Sequence, residues 1–328
     1  AAMNVTMLNS TFRMNSERIL FKDDGVYFDN FTIRDSTNNN AIIKGAIYTT
    51  DYSSFRFNTD IVADNFQVVN STAKDNNLYY GDLFINTNIR IRGDMDKPVV
   101  NADLTVNDKT DMTFVLPQND PQVAARDGIV EFFDQDFPQQ DSIMRAKYDT
   151  LNHSGIKGLD LVANITVDKD AEFSIIIDQA NGDFVSLKGE ANLSGGIDAS
   201  GKTSLTGTYE LTEGSYEMSF NLLRRKFSIQ SGSTITWTGE PTAADVNITA
   251  VYVANAAPID LVDQQLSDAS PAVRNTYKQK LPFNVLLIMK GELMKPDLTF
   301  DITLPDRNYT VSADVVNTSN TRLEQVRQ

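Results

Sequence analysis

The chain has no cysteine, one histidine, one tryptophan and no long apolar run. Without cysteine there is no disulfide scaffold, no thiol nucleophile and no cysteine-ligated zinc. No apolar run approaches the ~18 residues that a membrane-spanning helix needs. Basic residues are in deficit, 29 Lys and Arg against 44 Asp and Glu, for a formal net charge of −15. Such a chain is repelled by nucleic acid and by anionic membrane surfaces. Its one compact basic run is Arg224-Arg225-Lys226. No signal peptide is visible at Ala1, so the sequence reads as a mature form or an excised fragment.

Catalytic and cofactor motifs are missing as well. His153 sits in Leu-Asn-His-Ser-Gly between two expected strands and reads as a surface loop. There is no G-x-S-x-G elbow to pair with it, which excludes a serine-hydrolase triad of that kind. Gly196 to Thr203 matches the phosphate-loop pattern G-x-x-x-x-G-K-[ST], but that loop must follow a buried strand and open a helix. The residues after it, SLTGTYELTEG, are glycine-rich and strand-like, so the match reads as a β-turn. Carboxylate pairs such as Asp134/Asp136 and Asp168/Asp170 read as turns and solubility, and Asp75-Asn76-Asn77 with Asp82 lacks calcium-loop spacing. The expectation is no catalytic residue, no metal, no cofactor and no nucleotide.

What the sequence does have is alternation. Apolar and polar residues trade places with a period of two, which gives each strand one apolar and one polar face. The densest stretch is Leu222 to Tyr252, LLRRKFSIQSGSTITWTGEPTAADVNITAVY. It reads as three strands with turns at Gly232 and at Gly239-Glu240-Pro241. Leu83 to Gly93 and Leu159 to Val167 alternate as cleanly. Residues 117–142 carry Pro117, Pro121 and Pro138 and read as loop around one short strand, Gly128 to Phe133. Residues 260–280 hold the one expected internal helix, with Ser270-Pro271 as N-cap and first turn and Tyr277 packing one side. Thr321 to Gln328 reads as the first turns of a helix.

The chain also repeats itself. Residues 92–104, RGDMDKPVVNADL, match residues 290–302, KGELMKPDLTFDI. Both read as strand, turn, strand: Gly93 and Gly291 supply turn angles, and Pro98 and Pro296 open the next strand, where no ladder donor is lost. Roughly 20 strands at about 4.8 Å each would rise about 95 Å if all stack in one sheet, and less if a trough is a folded-over sheet. Repetition of this kind points to an elongated assembly. Alternation alone leaves open whether the apolar faces close a dry core or floor an open trough.

From about Leu193 to Pro305 the chain resembles the C-terminal domain of TamB, within the AsmA-like envelope proteins, and most of all the Bacteroidota branch. The residues that carry the resemblance are GKTSLTGTYELTEGSYEM, RRKFSIQSGSTITWTGEPTAADVNITAVY and LPFNVLLIMKGELMKPDLTFDITLP. Residues 1–190 resemble the family only as generic repeat. The resemblance implies an all-β, elongated open trough, described as a taco, with an apolar interior. It implies a periplasmic bridge, anchored in the inner membrane by an N-terminal helix, that meets a BamA- or TamA-like Omp85 barrel. Phospholipid passage toward the outer membrane and a related role in outer-membrane protein assembly follow from it, and no enzyme site does.

The expected layout is a repetitive β-trough segment over 1–142, a TamB-like β domain over 143–310 with a short helix near 270–280, and a tail over 311–328. Val246, Ile248, Ala250, Phe283, Val285, Leu287, Leu298, Phe300 and Ile302 are the candidates to line the interior. Arg224, Arg225 and Lys226 are candidates for a headgroup or partner contact, set against a plainer reading as a solvated strand edge.

Overall fold

The computed structural model describes residues 2–5, 8, 10–14, 18–115, 158–179, 181–220, 223–293, 296–305, 309 and 311–327. The expected strand at 128–133, the 142/143 boundary, His153, Asp134 and Asp136 lie outside the described residues. The expected all-β open trough is what forms: one large curved mixed sheet of 18 strands. In chain order these are β1 (Ala2–Val5), β2 (Ser10–Arg13), β3 (Ile19–Lys22), β4 (Gly25–Arg34), β5 (Asn40–Tyr48), β6 (Arg56–Ser71), β7 (Tyr79–Asp94), β8 (Val99–Val106) and β9 (Asp111–Val115). There follow β10 (Asp160–Val167), β11 (Glu172–Asp178), β12 (Asp183–Ile197), β13 (Thr203–Phe220), β14 (Leu223–Ile229), β15 (Ser233–Gly239), β16 (Asp245–Ala256), β17 (Leu281–Glu292) and β18 (Asp297–Thr303).

Long strands pair with two short strands laid end to end. β7 holds β8 and β9, β12 holds β10 and β11, and β13 holds β14 and β15. β4 holds β2 and β3 in the same way. The stack therefore has fewer rungs than strands, and at about 4.8 Å per rung it rises about 60 Å. That is the shorter of the two expected rises, because short strands share a rung.

The turn expected at Gly232 forms, closed by Ser233 N donating to Gln230 O at 3.3 Å, but it is not a hairpin. β14 and β15 both run antiparallel to β13, so the chain does not reverse there. It jogs and continues. The jog stays bonded to both neighbours: Gln230 N donates to Thr249 O at 2.8 Å and Gly232 N to Leu211 O at 3.0 Å. Gly232 takes φ +85°, which suits a residue without Cβ. Comparable tight turns break the rungs at Asn107–Thr110 and Asp168–Ala171, closed by Thr110 N to Asn107 O and Ala171 N to Asp168 O, both 3.0 Å. Where a rung is one long strand, a bulge takes the place of the jog. The register shifts in β6 between Ala63 and Phe66, and between β12 and β13 at Lys188/Gly189. Bulges bend a strand and raise its twist, so jogs and bulges together crease the sheet along one line.

All neighbouring rungs are antiparallel except at one seam. β8 and β9 lie parallel to β10 and β11. The two copies of the Gly-to-Pro repeat share their glycine angle and the place of their proline. Gly93 and Gly291 have φ +92° and +93°, and Pro98 and Pro296 directly precede β8 and β18. The glycines sit as the penultimate residues of β7 and β17, one step earlier than a turn position.

A helical cap closes one end. It comprises α1 (Ile259–Val262), a 3₁₀ turn (Asp263–Leu266), α2 (Pro271–Thr276) and α3 (Ala313–Arg327). Ser270 caps α2, its hydroxyl accepting from Val273 N at 3.4 Å, and Tyr277 is buried. α3 begins eight residues before the expected Thr321. Its first half, ADVVNTSN, is poor in helix formers, but Val315, Ser319 and Leu323 recur at the four-residue helical spacing and are 1%, 0% and 7% exposed. Tertiary burial supplies what propensity does not.

Candidate functional site

The sheet has one apolar face, and register makes it continuous. Phe66, Ile85, Val106, Val167, Ala191, Tyr209, Ile235, Val246 and Gly291 pair in turn across β6 to β17 on one side of the crease. On the other side Tyr79, Phe114, Ile175, Val185, Tyr216 and Phe227 form a second file. A third runs Ile229, Ala250, Leu287 and Phe300. The outer face carries the polar alternates. Asn88, Asp103, Asn164, Ser194, Thr206 and Thr238 form a matching file, with Asn164 Nδ2 donating to Asp103 Oδ1 at 2.9 Å.

The inner face changes character along its length. In the middle the two flanks meet: Tyr209 touches Phe173 edge-on, with ring centroids 6.3 Å apart, and Leu211 and Ala250 are fully buried. Tyr209 is buried, and its hydroxyl has no hydrogen-bond partner among the described residues. Burial pushes its phenol up to about 12. Tyr216 is raised too, by burial first and by the charge of Asp183 second. Trp237 satisfies its indole by donating to Pro241 O at 2.9 Å. Gly239 ends β15, and the Glu240-Pro241 turn follows it.

At the C-terminal edge the face lies bare. β17 is the only strand paired with β18 in register among the described residues. Leu298, Phe300 and Ile302 point the same way as Val246, Ile248 and Ala250, yet they are 56%, 61% and 43% exposed. Of the nine residues singled out from sequence, all fall on this one face. Val246, Ile248, Ala250 and Leu287 are buried in the wall, and Val285 is half-buried between Tyr252 and Ile302. Phe283 is covered by the helical cap, in a cluster with Val262, Leu266, Tyr277 and Val315.

The basic run divides. Arg224 and Lys226 take outer positions, and Lys226 pairs with Glu217 at 3.4 Å. Arg225 shares the inner face with Phe227 and Ile229, and its guanidinium lies 5.4 Å from the Tyr252 ring centroid. Sequence reasoning treated the three as one patch, although the pattern Arg-x-Phe-x-Ile already separates Arg225 from its neighbours.

Among the described residues no three His, Cys, Asp or Glu side chains come together in a metal-binding group. The phosphate-loop match is a hairpin turn between β12 and β13, where the Asp198 carboxylate accepts from Ser200 N at 2.9 Å and Lys202 N at 3.0 Å. These bonds hold Asp198 below its usual carboxylate range, the Ser200 hydroxyl first among them. A cleft of about 630 Å³ opens among Asp24, Tyr48, Arg56, Asp94 and Asp96, at the turn end of the rungs and away from the apolar files.

A single family description covers this arrangement. The family model for the TamB C-terminal domain matches residues 29–325. The chain belongs to the TamB C-terminal domain family. The match extends well beyond the stretch from Leu193 to Pro305 on which the sequence resemblance rested, and takes in β5 to β12 as well. No curated protein matches the chain. TamB-domain proteins belong to the cell envelope, and membership supports a role in outer-membrane protein assembly and lipid transport in the broad sense. No helix among the described residues is long and apolar enough to cross a membrane.

Proposed function

We propose that this chain is a non-enzymatic segment of an envelope bridge that gives phospholipids an apolar path toward the outer membrane and docks a BamA- or TamA-like Omp85 barrel. On this reading it works in the periplasm, as part of a protein anchored in the inner membrane, and binds neither nucleotide nor nucleic acid. The observation that carries the reading is the inner face itself, predominantly apolar from β5 to β18, with its one cation among the described residues, Arg225, at the lip, and bare at Leu298, Phe300 and Ile302. An acyl chain sliding along such a face keeps its burial, at roughly 0.8 kcal/mol for each CH₂. A polar or charged plug would interrupt it.

Photo-crosslinking in cells tests this. Crosslinkers at Leu298, Phe300, Ile302, Val246 and Ile248 capture acyl lipid on this account, and capture is strongest at the bare positions of β18. Outward Asn247 and Thr249 capture little. Equal capture from both faces would defeat the conduit reading.

A second reading has its own support. The fully buried Leu211, Ala250 and Leu287 describe a filled interior in the middle of the sheet. In that case the domain acts as a closed module that assists outer-membrane protein assembly without carrying lipid. Lipid capture confined to β18, with none from Ile248 or Val246, favours it.

A further inference from the structure

Arg225 is the only cation on the inner face of β5 to β18 among the described residues. Phe227 and Ile229, two and four positions deeper along β14, are 4% and 7% exposed, while Arg225 is half-buried at the lip. Its guanidinium lies over Tyr252, and Nη1 donates to the Arg224 carbonyl at 3.3 Å. It makes no ion pair among the described residues. Asp183, the acid that acts on the neighbouring Tyr216, is already committed, accepting from Ser219 N at 2.7 Å. In a chain of net charge −15, an inward cation with no acid beside it stands apart from Lys226, which has Glu217.

We propose that Arg225 holds the phosphate of a glycerophospholipid whose acyl chains lie on Val285 and Ile302, the inner-face residues in register with Tyr252. The inference rests on the phospholipid reading above and deepens it. A guanidinium presents a planar fork of donors that matches phosphate oxygens two at a time. The Tyr252 ring, 5.4 Å away, and the Nη1 bond to the Arg224 carbonyl hold the guanidinium at the lip. From Arg225 the inner face passes Tyr252 and the half-buried Val285 to Ile302, 43% exposed, so the cation borders apolar surface that is still open, which is the profile of a site for an amphiphile. Free phosphate shares the head chemistry but gains nothing from Val285 and Ile302. Arg224 and Lys226, on the opposite face, take no part.

The test is lipid uptake by the purified chain. The chain is incubated with vesicles of phosphatidylethanolamine and phosphatidylglycerol, or with vesicles that also carry diacylglycerol, then re-isolated, and bound lipid is quantified by mass spectrometry. Arg225→Gln lowers phospholipid uptake about ten-fold, the scale of losing a charge-assisted contact, and leaves diacylglycerol uptake unchanged. Arg225→Lys keeps part of the phospholipid uptake, and the double variant Arg224→Gln/Lys226→Gln keeps all of it. Inorganic phosphate does not displace the lipid. Wild-type phospholipid uptake by Arg225→Gln would overturn the assignment while leaving the conduit intact. Displacement by inorganic phosphate would identify a free-phosphate site instead and overturn the lipid assignment. Failure of the wild type to take up either lipid would overturn the conduit reading, and this inference with it.

Discussion

Val106 lies beside Val167 in parallel register, 61 positions further along the chain. The same offset holds from Val99 and Asp160 to Val115 and Ile176, across the jogs in both rungs. Equivalent residues therefore sit side by side: Ala102 with Ala163, Leu104 with Ile165, Thr105 with Thr166, Asp111 with Glu172 and Met112 with Phe173. This is a second internal repeat, and it builds the seam between two antiparallel halves of the sheet. Because matching faces coincide, the apolar file crosses the seam without a break.

The seam gives a paired test of face assignment. Val167 is buried on the inner face and its neighbour Thr166 is exposed on the outer one. Val167→Asp places an unpaired carboxylate in the file and costs about 3 kcal/mol or more. Thr166→Asp changes stability by about 0.5 kcal/mol. Chemical denaturation of the two variants checks this, and similar losses would mean that the faces are assigned wrongly.

Along the third file, wall and lip separate in the same way. Leu287 is 1% exposed and Phe300, its registered partner on β18, is 61% exposed. Leu287→Ala costs about 2–5 kcal/mol. Phe300→Ala, at a position already wet, costs less than about 1 kcal/mol despite the larger side chain. Denaturant midpoints decide it.

Tyr209 sets a pH signature. Its phenol is pushed up to about 12 by burial, while the unfolded chain ionises near the ordinary value of 10.0. Between those values the unfolded state loses the proton first, so Tyr209 makes stability fall as pH rises. Tyr209→Phe removes a hydroxyl that has no partner among the described residues, so it leaves stability near neutral pH unchanged or raised. It also flattens the fall between pH 10 and pH 12. Denaturation of both proteins at neutral pH and at pH 11 measures the difference.

Much of this was legible in the sequence. Alternation in Val246, Ile248 and Ala250 fixes which side chains share a face, because a strand has a period of two whatever its neighbours are. Alternation does not say what lies across from that face. Phe283 and Phe300 are both inner-face residues, yet one is buried beneath helices and the other is bare. Gly232 marked a break correctly, but a jog and a hairpin call for the same residues, and only the partners of β14 and β15 tell them apart. The start of α3 was hidden because ADVVNTSN forms a helix through burial of Val315 and Ser319 against the cap. The 61-residue repeat was present in plain sight, in Ala102 to Met112 against Ala163 to Phe173. It links short stretches of similar rather than identical residues, separated by a long intervening segment.

The most direct test of the central claim interrupts the apolar path where it is bare. Phe300→Asp and Ile302→Asp put charge on the inner face of β18 at positions exposed enough to keep the fold, and Thr299→Asp puts the same charge on the outer face. The measurement is the rate at which labelled phospholipid reaches the outer membrane in cells that depend on this protein. The account predicts a marked slowing with Phe300→Asp and Ile302→Asp and a wild-type rate with Thr299→Asp. Equal rates in all three variants, with the protein present at normal levels, would contradict it.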